Sequence, residues 1–164
     1  MRPFFVVLLF CAVTRLSCQS ADNAVPLTIH YVHPNTLTIC RTEPVSAPKG
    51  YRLMEVVSDG RPLSKQTLVA AEPLLSQADL KSIVLTRSSG GPGCELVFPE
   101  AMRERLKAIR LNNTTGTLAI VLSGDTLVTE VSTLNISDLR ISIQVHSKVS
   151  LERMTKLAAS IATK

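Results

Sequence analysis

Residues 140–145 read RISIQV and residues 150–161 read SLERMTKLAASI, and the change of period between them decides the fold class. In the first stretch Ile141, Ile143 and Val145 alternate with Ser142 and Gln144, the two-residue repeat of a strand with one packed face. In the second, Leu151, Met154, Leu157, Ala158 and Ile161 recur at helical spacing. Ser150 is placed as the N-cap, with Val149 and Met154 as a hydrophobic staple across it.

The same strand-to-helix switch occurs once upstream. Glu95 to Phe98 suits a strand, and Pro99 opens a helix to about Leu111, with Glu100 in its first turn and Met102, Leu106 and Ile109 on one core stripe. Around these units lie further strand candidates: Tyr51 to Val57, Thr67 to Leu75, Ser82 to Thr86, and the pair Thr117 to Leu122 and Thr126 to Leu134 around Ser123-Gly124-Asp125. Ser58-Asp59-Gly60-Arg61-Pro62 reads as a turn, with Pro62 unable to extend a ladder, and Gln77-Ala78-Asp79-Leu80 as one helical turn capped by Ser76. The order predicts an α+β domain over 51–164, a mainly antiparallel sheet with two long helices packed on one face.

Toward the N-terminus the pattern loosens. Pro26, Pro34, Pro44 and Pro48 punctuate 21–50, and the apolar stretches Leu27 to Val32 and Thr36 to Ile39 suggest short strands in an N-terminal extension, either an added hairpin or a lead-in. Residues 1–20 have the layout of a signal peptide: Arg2, an apolar run from Phe4 to Val13, then Ser17 to Ser20. That run is about half of the ~20 residues a spanning helix needs, and Arg15 ends it. Cleavage after Ser20 is expected; a lipidated N-terminus at Cys18 is the rival, weakened by Arg15 where an apolar residue belongs.

The chain of 164 residues is 45% hydrophobic, 19% charged and 4% aromatic, which excludes a wholly disordered protein. Loss of Arg2 and Arg15 with the leader lowers the formal charge from +5 to +3, too mild and too poor in aromatics for a nucleic-acid surface. Cys40 and Cys94 remain, a possible disulfide in an oxidising compartment or two buried free thiols.

Catalytic signals are absent. His30 and His33 flank a break at Pro34 with no Cys or carboxylate cluster near them, and His30, pointing away from Ile29 on a strand, reads as solvent-exposed. His146 lies between a strand and a helix, where it is expected to face water or cap a neighbour and not to act as a base. The loop Ser88-Ser89-Gly90-Gly91-Pro92-Gly93 lacks the Lys-Ser/Thr of a phosphate loop and leads into a strand, so it reads as a hairpin turn. No cofactor or metal is expected. Arg103, Lys107 and Arg110 form one row on the first long helix, either a partner-contact face or a solvated one buffered by Glu100 and Glu104. Asn112, Asn113 and Asn135 stand in glycosylation sequons that matter only in a eukaryotic source.

From Leu74 to Ala158 the chain resembles the head subdomain of the periplasmic domain of SecD, a membrane component of bacterial protein export. The resemblance is carried by Leu74-Leu75-Ser76-Gln77-Ala78-Asp79-Leu80, by Glu95-Leu96-Val97-Phe98, by Asn113-Thr114-Thr115-Gly116-Thr117-Leu118-Ala119-Ile120-Val121-Leu122-Ser123-Gly124, and by Val145 to Ala158 with Ser150, Glu152, Leu157 and Ala158 at matching places. It departs at Leu127-Val128-Thr129-Glu130-Val131, where the family carries a Pro, and at Ser147, where it has Gly. The resemblance implies a periplasmic location and contact with emerging polypeptide. The expectation is therefore a periplasmic or secreted, non-catalytic binding or adaptor module for polypeptide or an envelope protein. The alternative is a secreted enzyme or enzyme inhibitor with a site assembled from distant residues.

Overall fold

The computed structural model describes residues 26–34, 39–40, 46–58, 61–88, 90–112, 116–123 and 126–163; the expected signal peptide at 1–20, Cys18, and Asp59 and Gly60 of the expected turn lie outside them. Strands dominate, arranged as antiparallel sheets with two helices. A seven-stranded sheet has the order β2-β4-β3-β9-β8-β1-β5, built from β1 (Leu27–Tyr31), β2 (Ile39–Cys40), β3 (Tyr51–Ser58), β4 (Arg61–Ala70), β5 (Leu75–Ser76), β8 (Thr117–Leu122) and β9 (Thr126–Ser132). A four-stranded sheet has the order β10-β11-β7-β6, from β6 (Ser82–Ser88), β7 (Gly91–Val97), β10 (Ile136–Ser137) and β11 (Arg140–Gln144). Among the described residues the one parallel contact is between β3 and β9, at Val56 and Leu127.

The larger sheet curls on itself. Beyond β1, Val32 bridges to Val69 of β4, and the His33 N–H donates to the Leu68 carbonyl at 2.9 Å, so β1 touches the strand from which it is four places removed in the sheet order. Curling gives β8 two buried faces. Leu118, Ile120 and Leu122 enter the main core, whereas Ala119 and Val121 join Val32, Met54 and Val69 inside the curl. The register Thr28↔Val121, His30↔Ala119 and Ala119↔Glu130 points Thr28, His30 and Glu130 into the same interior.

The main core joins the two sheets. Ile83, Cys94, Leu96, Ile141 and Ile143 of the smaller sheet meet Leu27, Ile29 and the β8 residues, with Leu106 and Ile109 from helix α1 (Arg103–Asn112) and Met154 and Leu157 from helix α2 (Lys148–Ala162) filling the space. The helices have ten and fifteen residues. Helix α2 lies against β6, and α1 against the 3-10 turns Glu100–Met102 and Thr133–Asn135, so the expected packing of two long helices on one face of the sheet is not confirmed.

Several expectations move on contact with the structure. The segment 27–40 is no added hairpin: β1 is an inner strand between β8 and β5, and β2 pairs with β4. Pro62 lies within β4 opposite Val57, near the strand start, where a missing N–H is tolerated. Thr67 to Leu75 is not one strand, because β4 stops at Ala70 and β5 starts at Leu75. Helix α2 starts a turn earlier than the Ser150 cap predicts: Ser147 is the N-cap, its Oγ accepting from the Ser150 N–H at 3.3 Å, which removes the Val149–Met154 staple. Upstream, Pro99 caps a 3-10 turn that runs into α1. The turn Gln77–Asp79 forms as expected, and the Asp79 carboxylate accepts from the Ser76 N–H at 2.7 Å.

Candidate functional site

The polar groups of the described residues gather in four places, each set by the period of the element that carries it. The first is the interior of the curled sheet. His30, read from sequence as exposed, is 2% exposed. It does point away from Ile29, but toward a second buried face that only the curl creates. Its Nδ1 lies 2.8 Å from the Ala70 carbonyl and its Nε2 2.8 Å from Thr28 Oγ1. Since a carbonyl only accepts, Nδ1 carries the proton and the Thr28 hydroxyl donates to Nε2. Burial pushes the His30 pKa below 6.5, partly offset by the Ala70 carbonyl and reinforced by the Arg52 cation. Nearby, the Thr67 hydroxyl donates to Glu130 Oε1. The His30 ring, the Thr28 and Thr67 hydroxyls and the Glu130 carboxylate are engaged by their neighbours.

The second place is the α1 row. Arg103, Lys107 and Arg110 do line one groove of about 370 Å³, closed on the far side by Ile136 and Asp138. The row is not uniform, however. Arg103 Nε lies 2.6 Å from Glu100 Oε1 and its Nη1 pairs with Asp138, so two carboxylates neutralise it; the Glu100 carboxyl is correspondingly held below its ordinary pKa. Lys107 and Arg110 are exposed and make no ion pair among the described residues.

Third comes an open cleft of about 580 Å³ over the end of the smaller sheet, lined among others by Thr86, Gly93, Glu95, Ser142, Gln144 and His146. Glu130 also reaches it, but accepts from Thr67, and Glu95 is held 2.6 Å from Arg140 Nη1. Cys94 at its floor is a buried free thiol with its pKa pushed up to about 12 by desolvation, the state of an inert core residue, not of a nucleophile. The side chain of Cys40, its possible disulfide partner, lies outside the described residues. Among the described residues no group of three or more His, Cys, Asp or Glu is placed to hold a metal, and no helix is long and apolar enough to cross a membrane.

The fourth place is the outer edge of β6. Phe98 donates its N–H to the Leu139 carbonyl at 2.9 Å and Val145 donates to Pro92 at 3.0 Å, so positions 92, 94, 96 and 98 turn their main chain toward β11. Antiparallel ladders alternate, so Gly93, Glu95 and Val97 turn theirs toward β6, onto Thr86, Val84 and Ser82. Ile83, Leu85 and Arg87 consequently direct their N–H and C=O groups away from the sheet. No strand among the described residues pairs with that side of β6. Val84 and Leu85, on opposite faces, are 44% and 45% exposed. The other sheet edges, β2, β5 and β10, have two residues each, against seven in β6. Sequence reading found β6 as a strand but had no local signal for its place at an edge, which depends on which strands arrive beside β7. Comparison of the chain with family models, with curated proteins and with solved structures finds no match.

Proposed function

We propose that the protein is an exported, non-catalytic binding module that takes a partner polypeptide as an added strand along β6. One observation carries this reading: β6 is the long edge among four, apolar on both faces, and free of the devices that blunt sheet edges. Proteins protect such edges by shortness, Lys, Pro or bulges, because the row of outward N–H and C=O groups otherwise recruits another chain. The strand Ser82–Ser88 contains no Pro and no Lys, and Arg87 is its one charge. Main-chain bonds to Ile83, Leu85 and Arg87 would hold a partner strand, with Val84 and Leu85 giving apolar contact on either face. Export is supported by the leader at 1–20, and a polypeptide partner fits the likeness to the SecD head.

The test is capture of a reduced, S-carboxymethylated polypeptide, permanently unfolded, by the purified protein. Leu85→Pro removes an outward N–H while sparing the ladder to β7, and Leu85→Lys charges the edge without touching the backbone. Both are expected to weaken capture about tenfold or more with the circular dichroism unchanged. Equal capture by the folded variants, or recovery of a small molecule in place of polypeptide, would remove the proposal.

A further inference from the structure

At positions 81, 83, 85 and 87 the chain reads Lys, Ile, Leu, Arg, so two apolar residues of the edge strand stand between two cations. The Lys81 N–H donates to the Val97 carbonyl at 2.8 Å, which fixes that residue where β6 begins, and Arg87 is the last residue but one of the strand. Helix α2 brings further positive charge to the same place. Its main contact is with β6, and its ionisable residues are Lys148, Arg153 and Lys156 against the single acid Glu152. Lys81, Arg87 and Lys156 are exposed and make no ion pair among the described residues. Two carboxylates beside them are held elsewhere. Asp79 accepts from the Ser76 N–H and lies 3.6 Å from Arg105, and Glu95, opposite Val84 in the ladder, is paired with Arg140.

We propose that the strand taken up along β6 is acidic, with two apolar residues at alternate positions and a carboxylate two residues beyond each. The proposal rests on the reading of β6 as an open edge and names the class of segment that fits it. In an antiparallel pair that sets Ile83 and Leu85 opposite the apolar residues, the flanking carboxylates come opposite Lys81 and Arg87. Opposite charges across a ladder attract and like charges repel. A second copy of β6 in the matching register, Ile83 opposite Leu85, would instead set Arg87 against Lys81 of that copy. Cations at the two ends of the strand, with none between, leave the main-chain groups of Ile83 and Leu85 open while rejecting basic segments. The α2 cations add an attraction that salt screens over about 10 Å at 0.1 M.

Two end-blocked fluorescent peptides are compared by anisotropy on titration with the purified protein. One reads Glu-Thr-Val-Thr-Val-Thr-Glu, and the other has Lys in place of both Glu. The Glu peptide is expected to bind about tenfold more tightly than the Lys peptide at about 0.05 M salt, with the gap closing at about 0.5 M. The double variant Lys81→Glu/Arg87→Glu is expected to reverse the preference with the circular dichroism unchanged, since both side chains are exposed. Equal binding of the two peptides would overturn the charge preference and leave the open edge standing. Binding of neither would remove both. A Glu peptide held as tightly by the double variant or by Leu85→Pro would put the acidic segment somewhere other than β6, and would overturn the proposal.

Discussion

Lowering the pH from about 7.5 to about 5.5 should destabilise this fold through His30, and the sign follows from its surroundings. The ring is neutral with both nitrogens satisfied, by the Ala70 carbonyl at one end and the Thr28 hydroxyl at the other. A proton added at Nε2 would turn that acceptor into a second donor, force the Thr28 hydroxyl to reverse, and place a cation in the curled sheet near Arg52. In the unfolded chain the imidazole titrates near 6.5, and in the fold it titrates lower. Between those values the unfolded state binds more protons, so the contribution is fully present above 6.5 and fades as pH falls toward the folded value. The slope from one such group is at most about 1.4 kcal/mol per pH unit, so the loss over the first unit below 6.5 has that size as its upper bound. Urea unfolding at the two pH values reads it directly, in a window where ordinary carboxylates stay ionised. His30→Gln keeps a donor for Ala70 and an acceptor for Thr28 but does not titrate, so its stability should be level across the same interval. A wild-type protein equally stable at both values, or a His30→Gln variant with the full wild-type slope, would refute the reasoning.

Two further outcomes follow from the smaller sheet. A Cβ added at Gly93 would sit 2.5 Å from the Ile143 carbonyl oxygen and 3.2 Å from Thr86 Oγ1, so Gly93→Ala must push β7 away from β11. A loss of about 1–3 kcal/mol is expected by chemical denaturation, and a cost under about 0.5 kcal/mol would mean that the strands approach less closely than described. Cys94, buried with its thiol pKa pushed up to about 12, should resist alkylation at mildly alkaline pH until denaturant is added. Labelling of the folded protein as fast as of the unfolded one would contradict that burial.

What could be read from sequence was whatever a single element decides by itself. The alternation at Ile141, Ile143 and Val145 survives as buried positions on and just after β11, and the α2 stripe keeps Met154 and Leu157 buried. Caps were less legible, since Ser147 and Ser150 offer equal hydroxyls and the choice rests on where the chain leaves β11. His30 reads as exposed because its neighbours in sequence alternate as on a strand with one wet face. The cover for that face comes from Val69 and Ala70, forty residues away, through a bridge that no local period announces. Arg103, Lys107 and Arg110 were correctly placed on one side of a helix, yet the carboxylate that neutralises Arg103 from outside that helix, Asp138, arrives with the turn before β11. The β6 edge was invisible for the same reason.

The contrast among the four edges argues against treating β6 as an accident of chain order. Where β2, β5 and β10 end a sheet, the chain spends two residues there and turns away, which limits any template for pairing to one rung. At β6 it lays down seven residues and then supports them, with β7 on one side and α2 against the strand. A helix held behind an edge strand does not lengthen the sheet, but it keeps the strand from fraying, so the outward groups of Ile83, Leu85 and Arg87 are ordered in advance of any strand that would pair there. Ordering an edge costs conformational entropy, and an edge ordered in advance leaves that cost to folding instead of to binding. Length, apolar faces and support therefore point one way, and a blunted β6 would have been the cheaper solution for a protein with nothing to bind there.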